Sequence, residues 1–518
     1  MIAETLAGLV FLPLLAACAV VVMPRRALLA PVLLGLVPLP LLVAPLWREV
    51  ARVGEIVMPV AGIDRPLGIV WRVDPLAVVM LGLVAVIGVA VGAYAGASGY
   101  APGSALGRRF WSLWLLLLAA MNALLLSADL FNVFVTLELV TLAAIGLLVI
   151  ERTPAALRAA MRYLLLALLG SLAYLLGVAL LYGQGGTLDL YQASELLDAT
   201  LLPITALVLM TVGLLLKSAI FPLHGWLPAA HGNAPGPVSA VLSALVVKVS
   251  LYLVWRLWFW LAADWPLGWA PYLLGALGAA AILYGSVLAL LQARLKMMVA
   301  YSTVAQLGYL MLLFPLLGAT AFGAATYHLL SHGVAKAAMF LAAASIMKGV
   351  GSDRLSDLCG ADRVRPVDVF TLAIAGVSIL GLPPSGGFAA KWLLLQAAWA
   401  ERGWVWVAII LVGGLLAAAY LFRPLAVLTA RQGVEPTTAH EPRRADAPRP
   451  HAEPTTAAEP RQAPQSRPAA EPRSGASAPS GAGSVVALLL ALAAVAAGFL
   501  PAPVLSFLAG GLPPGVTP

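Results

Sequence analysis

Cysteine and charge are the two scarcities of this chain. Only Cys18 and Cys359 occur in 518 residues, so the sequence holds no disulfide framework and no thiolate cluster for zinc or an iron–sulfur centre. Charged side chains make up 10% of the residues, against roughly 25% in an ordinary soluble domain. Dinucleotide fingerprints and phosphate loops are missing too. If the chain serves a redox machine, the electrons travel elsewhere. No cofactor, no metal and no redox or hydrolytic site is expected of it, and its own chemistry reduces to moving ions or protons.

What is present is apolar. Hydrophobic residues make up 62% of the chain and the mean hydropathy is +0.96, values that describe a polytopic membrane protein. Apolar runs of about 20 residues, the length that crosses a hydrocarbon core, recur about fourteen times. The runs are continuous and rich in Leu, Ala and Val, without the short alternating segments of a transmembrane barrel. The expected fold class is therefore all-α integral membrane. Spans are expected near 4–23, 27–46, 130–150, 162–182, 202–222, 236–260, 297–318, 321–347, 367–400 and 484–507, among others. The first has Glu4 where a signal peptide would carry basic residues, and Pro24-Arg25-Arg26 leads into another apolar run, so it reads as a retained helix.

Lys and Arg collect in alternate loops, as they do on the cytoplasmic side of a membrane. Arg25 and Arg26, Arg108 and Arg109, Arg152, Arg158 and Arg162, Arg294 and Lys296, then Lys348, Arg354, Arg363 and Arg365 fall in odd-numbered loops. Asp129, then Asp189, Glu195 and Asp198, then Asp264 fall in even ones, while the second loop mixes both signs. Both termini are expected to face away from the cytoplasm. The formal net charge of +8 is mostly this topological signal, and nucleic acid is not expected as a partner. The tract 430–483, dense in Pro, Ala, Glu and Arg, reads as a disordered cytoplasmic tether for the last helix, with partner docking as the alternative.

Against this apolar background stand Glu138, Lys217, Lys248, Lys336 and Lys391, with His328 and His332. A charge at membrane depth costs roughly 2.5–3.5 kcal/mol on insertion scales, so a set of them suggests a proton or ion relay. Glu138 lies near the middle of the fifth span; it either pairs with a cation or stays protonated and bonds a neighbouring helix. Lys217 precedes a break made by Pro222, His224 and Pro228, where backbone groups freed by proline need water or neighbours. Snorkelling to an interface is the alternative for Lys217 if its helix ends early. Lys248 falls roughly 18 Å along the eighth span, too deep for easy snorkelling. His328, His332 and Lys336 are spaced by four and share one helical face, and no third ligand on that helix supports metal binding by the histidines. Lys391 follows a second break containing Pro383, Pro384 and Gly387.

Two interrupted helices, numbers 7 and 12 of the expected set, lie five spans apart and run in opposite senses, as an inverted five-helix repeat would produce. The expected organisation is 1–109 for three leading helices, 110–260 and 261–429 for the two repeats, 430–483 for the linker and 484–518 for the final helix and tail. The correspondence is imperfect, since Lys217 precedes its break and Lys391 follows its own.

The Glu138 helix, Lys217-Ser218-Ala219-Ile220-Phe221-Pro222-Leu223-His224-Gly225-Trp226-Leu227-Pro228, Leu295-Lys296-Met297-Met298-Val299-Ala300-Tyr301-Ser302-Thr303 and Gly381-Leu382-Pro383-Pro384 together resemble the antiporter-like membrane subunits shared by Mrp-type cation/proton antiporters, respiratory complex I and membrane-bound hydrogenases. The resemblance covers nearly the whole transmembrane part. It implies a fourteen-helix fold with two inverted five-helix bundles, working only inside a hetero-oligomeric membrane complex. Glu138, Lys217, Lys248 and Lys391 match the family's charged positions. Lys391 is similar to the residue of the Mrp D-type subunit and of several complex I or hydrogenase relatives. The long 430–483 insertion departs from the pattern, and the lack of a further lateral helix after the last span argues against the largest complex I paralogue. The D-type subunit of an Mrp antiporter is the first expectation and a complex I or hydrogenase proton channel the second. The expected cargo is H+, with Na+ left open. A secondary transporter acting alone, or a structural subunit without a through-path, are the readings from other classes.

Overall fold

The computed structural model describes residues 2–63, 68–430 and 481–516. Most of the tract expected to be a tether, residues 431–480, lies outside the described residues. Among those described, the chain is helical apart from one antiparallel hairpin, Ile56–Pro59 with Val70–Val73, in which Ile56 pairs with Val73 and Pro59 with Val70.

Twelve helices among the described residues are long and apolar enough to cross a membrane. The chain is a multi-pass membrane protein, and its helices follow from its composition: in lipid a backbone must satisfy its own hydrogen bonds, and runs of Leu, Ala and Val do so as helix. Two further apolar helices, Leu201–Lys217 and Pro366–Leu380, are shorter because breaks cut them off. The first resumes as Leu227–Asn233 after a stretch of turns, the second as Gly386–Ala400. Both breaks hold a cis peptide bond, Phe221-Pro222 and Pro383-Pro384.

Packing grades from lipid to interior. Leu41 and Leu415 are 70% and 73% exposed, as side chains facing hydrocarbon are, whereas Lys248 is 0% exposed. The span Gly236–Leu261 is buried from Pro237 to its end, so its polar side chains face protein. It departs from a plain α-helix at two π-helical turns, Leu242–Val246 and Leu257–Leu261, on either side of Val247–Arg256.

Several expected boundaries move. The 162–182 span is the longer helix Pro154–Gly185, started by Thr153, whose side chain accepts from Ala156 N, and by a proline at the first turn, where its missing N–H costs nothing. Arg158 and Arg162 are therefore helical, not in a loop. The 297–318 span begins at Leu295, which takes Lys296 out of its expected loop and buries it at 5% exposure. The 27–46 span continues to Val53 after a junction between Leu29–Leu36 and Pro38–Val53. The 202–222 span ends at Lys217, and the last span divides into Gly481–Ala496 and Pro501–Ala509.

Two connections repeat one another. Leu130 N donates to Leu188 O at 2.8 Å and Leu190 N to Ala128 O at 2.9 Å; Leu295 N donates to Asp353 O at 2.9 Å and Leu355 N to Ala293 O at 2.8 Å. Every group of the second set lies 165 residues after its counterpart in the first. Each pair of bonds joins the segment before one helix to the segment after the next, which ties the ends of neighbouring helices with backbone groups that would otherwise need water.

Close backbone approach fixes the first break. A Cβ on Gly213 would collide with the Gly170 carbonyl oxygen, and one on Gly170 would stand 2.7 Å from Gly213 O. Small residues at such crossings let helices pack main chain to main chain, and Lys217 follows one turn later on the same helix.

Candidate functional site

Lys217 is the last residue of Leu201–Lys217, where the unsatisfied carbonyls of a helix end favour a cation. Although the helix ends early, the side chain does not snorkel: it is 3% exposed. Its ammonium donates to Glu138 Oε1 at 2.7 Å and to Thr141 Oγ1 at 3.0 Å. Glu138 and Thr141 sit three residues apart on Leu130–Leu148 and so share a face. Ser171 Oγ, from Pro154–Gly185, also donates to Glu138 Oε1. The carboxyl is thus paired with a cation.

The break after Lys217 is closed by aromatic side chains. Trp226 Nε1 donates to the Leu216 carbonyl at 2.9 Å, which also accepts from Ala219 N at 3.2 Å, and the Tyr163 ring stacks on Trp226 at 4.0 Å. Pro222 and His224 lie within the break, with the His224 ring between Phe221 and Tyr284 at 5.6 and 5.2 Å. Pro228 starts Leu227–Asn233.

Lys248 finds its partner in the π-turn. Widening the helix at Leu242–Val246 leaves the Ser243 carbonyl without its usual partner, and Lys248 Nζ donates to it at 2.7 Å. Such turns cluster at functional sites. The Ser243 and Thr303 hydroxyls are 2.9 Å apart. Beside Thr303, Ser302 accepts from Lys336 Nζ, which also donates to Val299 O at 2.7 Å. One helix, Leu295–Met311, thereby connects the Lys248 turn to Lys336.

His328, His332 and Lys336 share the long helix Ala319–Val350. The two imidazoles lie nearly parallel, 5.8 Å between centroids. His332 lies one turn from His328 on one side and from Lys336 on the other along this helix. The Tyr309 ring stands between His328 and Lys391, 5.5 Å from the His328 ring and 4.7 Å from Lys391 Nζ. Lys391 donates to Ile379 O at 2.7 Å and Leu380 O at 3.2 Å, which caps the helix before the break from the helix after it. Gly387 permits this turn, since a Cβ there would collide with Ser378 O. Pro383 and Pro384 lie within the break itself.

Sequence reasoning missed the hydroxyls Thr141, Ser171, Ser302 and Thr303 and the ring of Tyr309, which carry no charge signal. It also missed His231, fully buried and stacked on Phe340 at 4.5 Å, and Lys296, which donates to Ala234 O. A histidine four residues before Pro235-Gly236-Pro237 in an apolar tract was the available signal. Neither ring nitrogen of His231 or His332 meets a hydrogen-bond partner among the described residues. Polar atoms buried this way are the positions at which proteins hold internal water.

Residues 127–417 match the family described as NADH:quinone oxidoreductase/Mrp antiporter, TM. The N subunit of the NADH-quinone oxidoreductase of Desulforudis audaxviator is 38% identical over 70% of this chain and 73% of its own length. The D subunit of the Na(+)/H(+) antiporter of Alkalihalophilus pseudofirmus is 28% identical over 71% and 75%. A chain in the structure of the membrane-bound sulfane sulfur reductase, an archaeal respiratory membrane complex, superposes with a TM-score of 0.82 at 26% identity, covering 99% of this chain and 98% of that one.

Proposed function

The chain belongs to the NADH:quinone oxidoreductase/Mrp antiporter transmembrane family, and on that premise we propose that it translocates protons as one subunit of a multisubunit membrane complex. The Glu138–Lys217 contact carries this reading: a carboxylate and an ammonium 2.7 Å apart among membrane-spanning helices. Each is costly alone at that depth and each stabilises the charge of the other. When Glu138 is ionised and near, Lys217 holds its proton; when the pair separates, the ammonium loses its partner and the proton moves on towards Lys248. From there the route runs through the Ser243–Thr303–Ser302 hydroxyls to Lys336, then past His332 and His328 to Lys391. Histidine suits the middle because it both accepts and donates a proton near neutral pH, and internal water supplies the remaining links.

The proposed architecture behind the route is an inverted repeat of 110–260 and 261–429. Its support is the 165-residue offset between the two sets of loop hydrogen bonds and the two broken helices. The arginine-rich loops favour both termini on the non-cytoplasmic side.

For the assembly, 38% identity to the N subunit of a NADH-quinone oxidoreductase favours an electron-driven pump over the Mrp D-type subunit first expected. The antiporter reading keeps the support of an antiporter D subunit at 28% identity. The test is purification of the tagged complex from its native membrane in mild detergent, with mass spectrometry of the partners and an absorption spectrum. Co-purified flavin or iron–sulfur subunits are the expected result. Small hydrophobic partners without a chromophore would return the reading to cation/proton antiport, and proton transport by the chain alone would sink the subunit reading.

A further inference from the structure

A second buried ion pair lies away from the proposed route but on the Lys248 helix. Arg256 ends Val247–Arg256, and its guanidinium grips Asp74 with both arms: Nη1 to Oδ2 at 2.5 Å and Nη2 to Oδ1 at 2.6 Å. Asp74 is itself the N-cap of Pro75–Ala97, accepting from Ala77 N at 2.9 Å. The guanidinium lies over the Tyr252 and Trp260 rings at 4.8 and 4.2 Å, and Nη1 also donates to Tyr191 Oη at 3.2 Å. Arg72 covers the Tyr191 ring at 3.4 Å and bonds Glu55 at 3.1 Å.

This pair is unlike Glu138–Lys217. A guanidinium does not give up its proton in proteins, so Arg256 cannot pass one along. A bidentate fork on a carboxylate instead fixes position and angle. The fork grips the far end of a helical segment bounded by two π-turns, Leu242–Val246 and Leu257–Leu261. Lys248 lies eight residues earlier, about 12 Å along the axis, and depends on the first π-turn for its acceptor, the Ser243 carbonyl at 2.7 Å. A π-turn bonds one residue further along than the α-helix on either side of it, and the fork holds the Arg256 end of the segment between the two turns against Asp74.

We infer that Arg256 and Asp74 are positioning residues that lock the helix Val247–Arg256 in the register that sets Lys248 against Ser243. This rests on the proposed relay only for its consequence in transport; the lock itself is a statement about the helix. Without it the segment rotates or slides between its π-turns, and Lys248 loses the carbonyl that orients its ammonium towards the Thr303–Ser302 side.

The test uses the assembled complex carrying Asp74→Asn, in which asparagine still caps Pro75–Ala97 but no longer balances Arg256. Because an unpaired guanidinium can prevent assembly, Asp74→Asn with Arg256→Gln is measured beside it. Hydrogen exchange by mass spectrometry is expected to rise about tenfold at the amides of 242–256 and not across the other spans. Proton flux in proteoliposomes is expected to fall by about tenfold or more, the scale of a misplaced reacting group. Unchanged exchange in that segment, or exchange raised throughout the protein, would overturn the lock, and normal flux with raised exchange would overturn its consequence for transport. Lys248→Ala separates the two readings: normal flux in that variant removes the relay, while the exchange result still judges the lock.

Discussion

The hydroxyls of Ser243 and Thr303 meet at 2.9 Å, fastening the π-turn that holds Lys248 to the helix whose preceding residue, Ser302, takes the Lys336 ammonium. Lys248, bonded to the Ser243 carbonyl, and Lys336, bonded to Ser302, thus meet the same helix junction from two sides, and the hydroxyls there are the neutral groups that the proposed route uses.

Removing that link should slow transport without dismantling the protein. A hydrogen bond to a charged group is worth about 1.5–3 kcal/mol. Ser302→Ala should therefore lower proton flux in proteoliposomes by about 10- to 100-fold, with a normal yield of assembled complex; flux within twofold of the parent would exclude Ser302 from the route.

Glu138→Gln and Lys217→Ala should each reduce flux on the order of 10²-fold, the usual scale for a proton-transfer group. Changing Glu138 leaves Lys217 charged and buried, and changing Lys217 leaves Glu138, 20% exposed, without its cation, so each single variant should be less stable than the double variant Glu138→Gln with Lys217→Ala. Thermal midpoints of the three purified proteins check the order, and a double variant less stable than both singles would contradict it.

At Lys391, structure and transport should separate. Lys391→Gln can still donate to the Ile379 and Leu380 carbonyls but cannot carry a proton. It should keep its thermal stability and lose transport, whereas Lys391→Ala should lose transport and about 1–3 kcal/mol of stability from the freed acceptors.

Gly213→Val tests the first crossing. Its Cβ would run into the Gly170 oxygen, so the helices must separate, at about 1–3 kcal/mol. Because Lys217 lies one turn on, cross-linking between cysteines placed on the two helices should weaken together with flux. Gly414→Ala, where a Cβ meets nothing within 4 Å, is the matched control.

Asp129 gives a pH dependence outside the spans. Burial raises its carboxyl above the ordinary aspartate range and the Asp189 charge adds to this, while the N–H groups of Asn132 and Phe131 oppose it. The folded form keeps the proton to higher pH than the unfolded form, so stability falls as pH rises from the ordinary aspartate value, about 3.9, to the raised one. Asp129→Asn should flatten that fall in thermal midpoints measured across the same range.

The charged members of the site were legible in the sequence because lysine, glutamate and histidine stand out in apolar runs, and the breaks were legible because proline and glycine punctuate helices. Lys296 was not: a basic residue beside Arg294 looks like a cytoplasmic loop until the helix is seen to start at Leu295. Nor were the π-turns, since Leu242–Val246 has the composition of its neighbours. Ser302 and Thr303 stood within a motif that carried the family resemblance, yet hydroxyls are common enough in membrane helices that only geometry assigns them a place. The same holds for Arg256, whose carboxylate partner lies 182 residues away.

Lys217 and Lys391 are held by different kinds of acceptor. A carboxylate can be neutralised or drawn aside, so the grip on Lys217 can be strengthened and released within a cycle. Main-chain carbonyls can be neither titrated nor removed, so the grip on Lys391 is constant. Along the proposed route, one terminus is therefore adjustable and the other is a fixed threshold.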